Sequence, residues 1–328
     1  MQLRDLGKDS FKVSEVGLGC WQLGGDWGAA ISKSAAFDIM NEAVDQGITF
    51  FDTADVYGGG ISETVIGEFI KELKKPIKIA TKFGRSGDVF PDNYTEKTLR
   101  DSVNGSIKRL GVDSLDLLQL HCIPTDVLRQ GEIFNWLRTL KEEKLIKEFG
   151  ASVETVEEGL ICMEQEGLLS LQVIFNVFRQ KLLEELLPKA KEKNVGIIVR
   201  LPLASGLLSG KFTEKTQFLE NDHRNFNRNG EMFNVGETFA GLPFEKGVEL
   251  TKTIQDEFLP ENMTMVQLAL RWILDQDAVS TIIPGASSPI QAKSNAAVSK
   301  INALPESLHQ KLNAFYTKDV KNNIRGPY

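Results

Sequence analysis

Asp52 and Tyr57 lie close together in Phe50-Phe-Asp52-Thr-Ala-Asp-Val-Tyr57-Gly-Gly-Gly-Ile-Ser-Glu63. Further along, Lys82 interrupts the apolar run Ile77-Lys-Ile-Ala-Thr-Lys-Phe83, and His121 ends Leu115-Asp-Leu-Leu-Gln-Leu-His121. The chemistry of the four is complementary. A tyrosine with a pKa near 10 is a poor acid at neutral pH unless its phenolate is stabilised. A neighbouring Lys⁺ does this by opposite charge, and a buried Asp keeps the Lys charged. A neutral His orients a carbonyl by hydrogen bonding or shares in proton delivery. Such a set suits the reduction of a carbonyl, in which an alkoxide develops and must be protonated.

Each residue also has a plain structural role open to it. Asp52 or His121 alone reads as a strand-end hydrogen-bonding group, and Tyr57 beside three glycines as a turn aromatic. Lys82 is harder to dismiss, because a buried lysine needs a partner or a shifted pKa.

Positioning these side chains requires a particular architecture. Short β-rich runs at 16–23, 49–54, 77–83, 115–121, 148–152, 171–177, 196–202 and 280–285 alternate with amphipathic runs. Several are continuously apolar, as parallel strands buried on both faces must be. Between them, Ala35, Ala36, Ile39, Met40, Ala43 and Val44 share one helical stripe that Gly47 ends, and Val65, Ile66, Phe69, Ile70 and Leu73 repeat the pattern. Periodicity does not separate a closed barrel from an open doubly wound sheet. The latter would carry G-x-G-x-x-G after its first strand; here Gly17-Leu-Gly-Cys-Trp-Gln-Leu-Gly-Gly is wrongly spaced. The expectation is therefore an α/β fold, a (β/α)8 TIM barrel spanning residues 1–328 as one domain. In a barrel, Asp52, Tyr57, Lys82 and His121 fall at the C-terminal ends of successive strands, where barrel active sites lie.

Two segments are additions. The first dozen residues read as a hairpin plugging the barrel bottom with Leu3, Leu6 and Phe11. Residues 206–244 form a long loop after strand 7, rich in Asn, Gly, Phe and charge and without a period. Connections of this length are usually functional or mobile.

Composition narrows the function classes. Net charge is −7 with acids and bases interleaved, against nucleic acid or an anionic membrane as partner. Three scattered cysteines, Cys20, Cys122 and Cys162, form no metal spacing and point to reduced thiols. The N-terminus has no apolar signal region, and no stretch approaches the roughly 20 apolar residues of a membrane span. A cytoplasmic protein is expected. Oligomeric state is not written in any heptad or apolar stripe.

The sequence resembles the aldo-keto reductase superfamily over essentially its whole length. FDTADVYGGGISETVIG is similar to the signature around the catalytic Asp and Tyr, IATKFG to the Lys strand, and RLGVDSLDLLQLH to the helix-strand motif ending in the catalytic His. The resemblance implies a tetrad of Asp52, Tyr57, Lys82 and His121, NADPH extended across the barrel top, and Trp21 as a wall of the substrate pocket.

On the cofactor side, Ser288-Pro289 reads as N-cap and first residue of a helix whose free N–H groups suit an anion, or simply as a capped helix. The resemblance assigns Gly285, Ser287, Gln291 and Asn295 to the adenosine end and Ser152 and Gln172 to the nicotinamide carboxamide. Val153 stands where many relatives have Asn. Arg200, Pro202, Leu203, Ser205, Gly206 and Lys211 match the segment crossing the nicotinamide and pyrophosphate. Arg200 replaces a frequent aromatic: it stacks or meets an anionic substrate, or pairs with a carboxylate. Lys211 and Arg224 lie where a loop would close over the pyrophosphate; for Arg224 and Arg228, solvated surface charge is equally open. Ser287 and Ser288 stand where many relatives carry Arg or Lys for the 2′-phosphate, which leaves NADH open beside NADPH. Lys293 reads as a solvated helix residue.

The first function class is thus a reductase of small aldehydes, ketones or sugars. A cofactor-binding regulatory subunit with little turnover is the alternative, which a missing tetrad residue would favour. A metal-dependent hydrolase needs more ligands than His121, His223 and His309 offer.

Overall fold

A computed structural model describes residues 1–7, 11–25 and 30–328. An antiparallel pair, β1 (Leu3–Asp5) and β2 (Lys12–Ser14), precedes an eight-stranded sheet. Its strands are β3 (Leu18–Gly19), β4 (Phe50–Asp52), β5 (Lys78–Phe83), β6 (Leu115–His121), β7 (Ile146–Ser152), β8 (Leu168–Ile174), β9 (Gly196–Arg200) and β10 (Val279–Ile282). Neighbours pair in parallel and in chain order, with helices in the crossovers. Parallel bridges Val16↔Ile282 and Gly19↔Gly285 join the first strand to the last and close a (β/α)8 barrel. Gly19 makes this approach possible, since a Cβ there would sit 2.6 Å from the Ile283 carbonyl oxygen.

Several strand boundaries differ from the sequence expectation: the second barrel strand shrinks to Phe50–Asp52, the seventh ends at Arg200 and the eighth spans Val279–Ile282. The first strand ends at Gly19, because the chain turns at once into a 3-10 turn, Trp21–Gly24. The sixth barrel strand begins at Leu168, three residues early, and ends at Ile174. Helix Lys33–Asp45 buries its expected stripe except for half-buried Ala35; in Ile61–Glu72, Ile66 and Phe69 are buried, while Val65, Ile70 and the C-cap Leu73 pack half-buried against the core.

The hairpin plugs the barrel bottom as anticipated, although its residues 8–10 lie outside the described residues. Leu6, Phe11 and Val13 pack on Phe50, Ala80, Leu117, Leu169, Ile198 and Ile283 from the barrel wall. Leu3 does not take part and is exposed, because its strand turns that side chain to solvent. Segment 206–244 is not a bare loop. It carries short helical turns and an aromatic cluster in which Phe212, Phe218 and Phe239 pack around Phe244. No helix among the described residues is long and apolar enough to cross a membrane.

Candidate active site

The barrel register gathers the polar side chains at one level. Asp52 pairs with Ala80, Lys82 with Gln119, His121 with Ser152, and Ser152 with Gln172 across four parallel ladders. Within this layer Lys82 Nζ donates to Asp52 Oδ1 at 2.5 Å, to the Thr53 carbonyl at 2.7 Å and to the Tyr57 hydroxyl at 3.2 Å. Asp52 Oδ2 accepts from Gln119 at 3.0 Å and from Gln172 at 2.7 Å. Asp52, Tyr57 and Lys82 are therefore joined directly, and His121 approaches them edge-on at the Tyr57 ring. Gln119, which anchors the free face of Asp52, was visible only as one polar break in an apolar strand.

Tyr57 reaches this layer from a turn built for it. Gly58, Gly59 and Gly60 all take positive φ, which returns the chain sharply into the helix Ile61–Glu72. Behind the turn, Ser62 accepts from Thr53 and donates to the Cys20 carbonyl. Buried Glu63 accepts from Thr81 at 2.5 Å and from Arg109 at 2.6 Å. Trp21 stacks on the Tyr57 ring at 5.7 Å, and His121 meets its edge at 6.0 Å.

Burial pushes the Tyr57 hydroxyl above its ordinary range, although Lys82 pulls in the opposite direction. The sequence alone had emphasised only the pull of Lys82. The hydroxyl thus keeps its proton at neutral pH rather than standing as a phenolate. Burial would lower Lys82, but Asp52 and Tyr57 together outweigh it and hold the ammonium charged. Burial, with Arg85, Lys82 and Arg200 nearby, keeps His121 well below its ordinary value and neutral. Its Nδ1 is buried without a hydrogen-bond partner among the described residues.

Two cavities meet at this point. One, of about 410 Å³, runs from Asp52, Tyr57 and His121 out to the helix Pro289–Ala297. Gln172, Arg200, Pro202, Leu203, Ser205 and Gly206 line it, as do Lys211, Arg224, Gly285, Gln291 and Asn295. Its lining residues Leu201, Ser205 and Gly206 take left-handed backbone, an uncommon conformation for the two non-glycines that concentrates at functional sites. Ser288 caps the helix and Pro289 opens it. This elongated groove, with a helix N-terminus at one end and cations on its rim, fits an extended dinucleotide.

Several candidates are already engaged. Both amide hydrogens of Gln172 are used, on Asp52 and on Gln119 Oε1 at 3.1 Å. Gln291 folds back to accept from the Ser287 N–H and hydroxyl, and Asn295 donates to the Gly285 carbonyl. Arg224 grips Asp222 with two nitrogens, at 2.9 and 2.6 Å, and lies over Phe218, so it is a built part of the segment rather than loose surface charge. Arg228 lies over Phe244, with Glu245 4.0 Å away. Ser152 and Ser287 are not on the groove wall; Ser152 is buried beside Cys122.

Arg200 pairs with a carboxylate, Glu237, at 3.4 Å, and its side chain also lines the groove. Glu237 also meets Arg85 at 2.9 Å, and Arg85 donates to Glu154 at 2.6 Å. Cys122, Glu154 and Glu237 bring their donor atoms within 4.8 Å of one another. The two guanidiniums already supply the positive charge there, so the set does not fit a metal ion. This cluster escaped sequence reasoning because Arg85, Glu154 and Glu237 lie on connecting segments without any period, and only Arg200 ends a strand.

The second cavity, of about 520 Å³, shares Trp21, Tyr57, His121 and Glu237 with the first. The elongated groove and this second chamber thus share the Tyr57 side chain as a common wall.

Against this geometry, the sequence model of the Aldo/keto reductase family matches residues 15–317. The chain belongs to the aldo/keto reductase family. It is 29% identical to the uncharacterized oxidoreductase YqkF of Bacillus subtilis, covering 98% of both chains. It is 28% identical to the NADH-specific methylglyoxal reductase of Escherichia coli, over 90% of this chain and 93% of that one. Among solved structures, the glycerol dehydrogenase AKR11B4 from Gluconobacter oxydans superposes with a TM-score of 0.79 at 26% identity, covering 99% of this chain and 98% of that chain. As an aldo/keto reductase the chain is an oxidoreductase of a family that works with a nicotinamide cofactor.

Proposed function

We propose that this chain reduces an aldehyde or ketone to the alcohol with NAD(P)H, Tyr57 acting as general acid. The observation that carries this reading is the Tyr57 hydroxyl, 3.2 Å from Lys82 Nζ on the wall common to both cavities. A bound reduced nicotinamide supplies hydride to the carbonyl carbon. Tyr57 gives its proton to the oxygen as negative charge develops there, and the Lys82 ammonium stabilises the phenolate left behind. Asp52 keeps Lys82 charged and fixed. Neutral His121 orients the carbonyl oxygen, and Trp21 walls the substrate.

Gln172, Pro202, Leu203, Ser205 and Gly206 would hold the nicotinamide half, with Ser152 behind them. Lys211 and Arg224 would face the pyrophosphate, and Gly285, Ser287, Gln291 and Asn295 the adenosine. Neither Ser287 nor Ser288 brings a cation for a 2′-phosphate, so use of NADH beside NADPH is part of the proposal. The intact set of four favours turnover over a purely regulatory role.

The test is titration with NADPH and with NADH, followed by nicotinamide fluorescence, and then addition of small carbonyl compounds. Binding followed by oxidation on carbonyl addition is expected, and Tyr57→Phe should bind cofactor nearly as well while losing most turnover. Full turnover by Tyr57→Phe would reject the acid role. Binding without turnover would favour the regulatory reading.

A further inference from the structure

We propose that the second chamber selects uncharged carbonyl compounds with an apolar tail and rejects those bearing a carboxylate or phosphate. The proposal rests on the reductase reading above and specifies its substrate.

Charge on the polar wall comes from Arg85, Glu154, Glu158 and Glu237. Arg85 spends one terminal nitrogen on Glu154 and the other on Glu237. Arg200, behind them, faces Glu237 and the Cys122 sulfur, each at 3.4 Å. Asn234 donates to Glu154 at 2.8 Å. Glu158 accepts from Thr125 and from the backbone N–H groups of Glu154 and Thr155. A substrate anion would find these guanidiniums already matched and would confront three carboxylates. Its desolvation would go uncompensated.

The rest of the lining carries a connected run of apolar rings. From the Tyr57 ring it passes through Trp21 to Phe233, whose centroids are 6.3 Å apart, and on to Phe226 at 6.2 Å. At the mouth Phe90, Phe226 and Met232 remain 47%, 37% and 72% exposed. Exposed apolar groups around one cavity mark a binding surface. With the carbonyl at Tyr57 and His121, a tail lies along this run and covers these residues.

The experiment compares para-methylbenzaldehyde with para-carboxybenzaldehyde, which are close in size, and propanal with hexanal. The methyl compound should have a kcat/KM at least about tenfold higher, and each added methylene should raise kcat/KM about two- to fourfold. Phe226→Ala with Met232→Ala should shrink the increment per methylene. Glu154→Gln, by releasing Arg85, should narrow the preference against the carboxylate. Equal or better use of the carboxylate, or no gain with chain length, overturns the proposal. If no aldehyde is reduced, the reductase reading fails, and calorimetry with the unreactive para-methylbenzamide and para-carboxybenzamide decides the chamber's preference: tighter binding of the methyl compound supports it, and the reverse overturns it.

Discussion

Lys82 Nζ stands 2.5 Å from Asp52 Oδ1, with the lysine side chain fully buried and the aspartate 4% exposed. Breaking such a pair from one side strands the other charge, at about 3–5 kcal/mol. Lys82→Met should therefore lower both stability and turnover, the latter by about 10²–10⁴-fold if Lys82 supports the proton donor. Tm and single-turnover rate measure the two effects. A rate within twofold of wild type would remove Lys82 from the chemistry.

Glu237 ties segment 206–244 to the barrel through Arg85 and Arg200. Glu237→Gln leaves Arg200 without its carboxylate, while Arg85 keeps Glu154. A loss of about 3 kcal/mol is expected, with faster proteolytic cleavage inside 206–244. Unchanged melting and cleavage would show that the segment is held without Glu237.

His121 is kept neutral by burial and by three surrounding cations. Its ring resonances should stay flat in an NMR titration from about pH 8 to pH 5.5, below the usual histidine pKa near 6.5. A titration step near 6.5 would mean that the ring is solvated.

Asp55 is pushed up from 3.8 to about 6, chiefly by burial and then by the charge of Glu63. Its folded-state pKa exceeds the unfolded one, so the folded chain binds more protons between the two values. Stability therefore falls as pH rises through that window. Asp55→Asn should stabilise above pH 6 by up to ~3 kcal/mol and change little below pH 4. Denaturant midpoints at the two pH values give the comparison; equal shifts at both would contradict the origin in charge.

The barrel and the tetrad were legible because buried parallel strands read as apolar runs, in which Lys82 and the terminal Asp52 and His121 stand out as polar interruptions. Gln119 carries the same mark, but a neutral amide in a strand announces no chemistry by itself. Leu3 misled because apolar type does not fix which side of a short hairpin strand meets the core. Arg85, Glu154, Asn234 and Glu237 converge from three loops, and the path of a loop follows from its tertiary contacts rather than from any repeat. The carboxylate partner of Arg200 was not legible either, because Glu237 lies far along the chain on one of these segments.

The barrel seam is its thinnest joint. β3 contributes two residues, and the closing contacts to the last strand are isolated bridges. The elongated groove lies directly over it, with Gly19 and Cys20 on one bank and Ile283, Pro284 and Gly285 on the other. A molecule filling that groove would act as a rivet across the joint. Amide hydrogen exchange along the first and last strands would then slow most on loading, making the least secured part of the wall a reporter of occupancy.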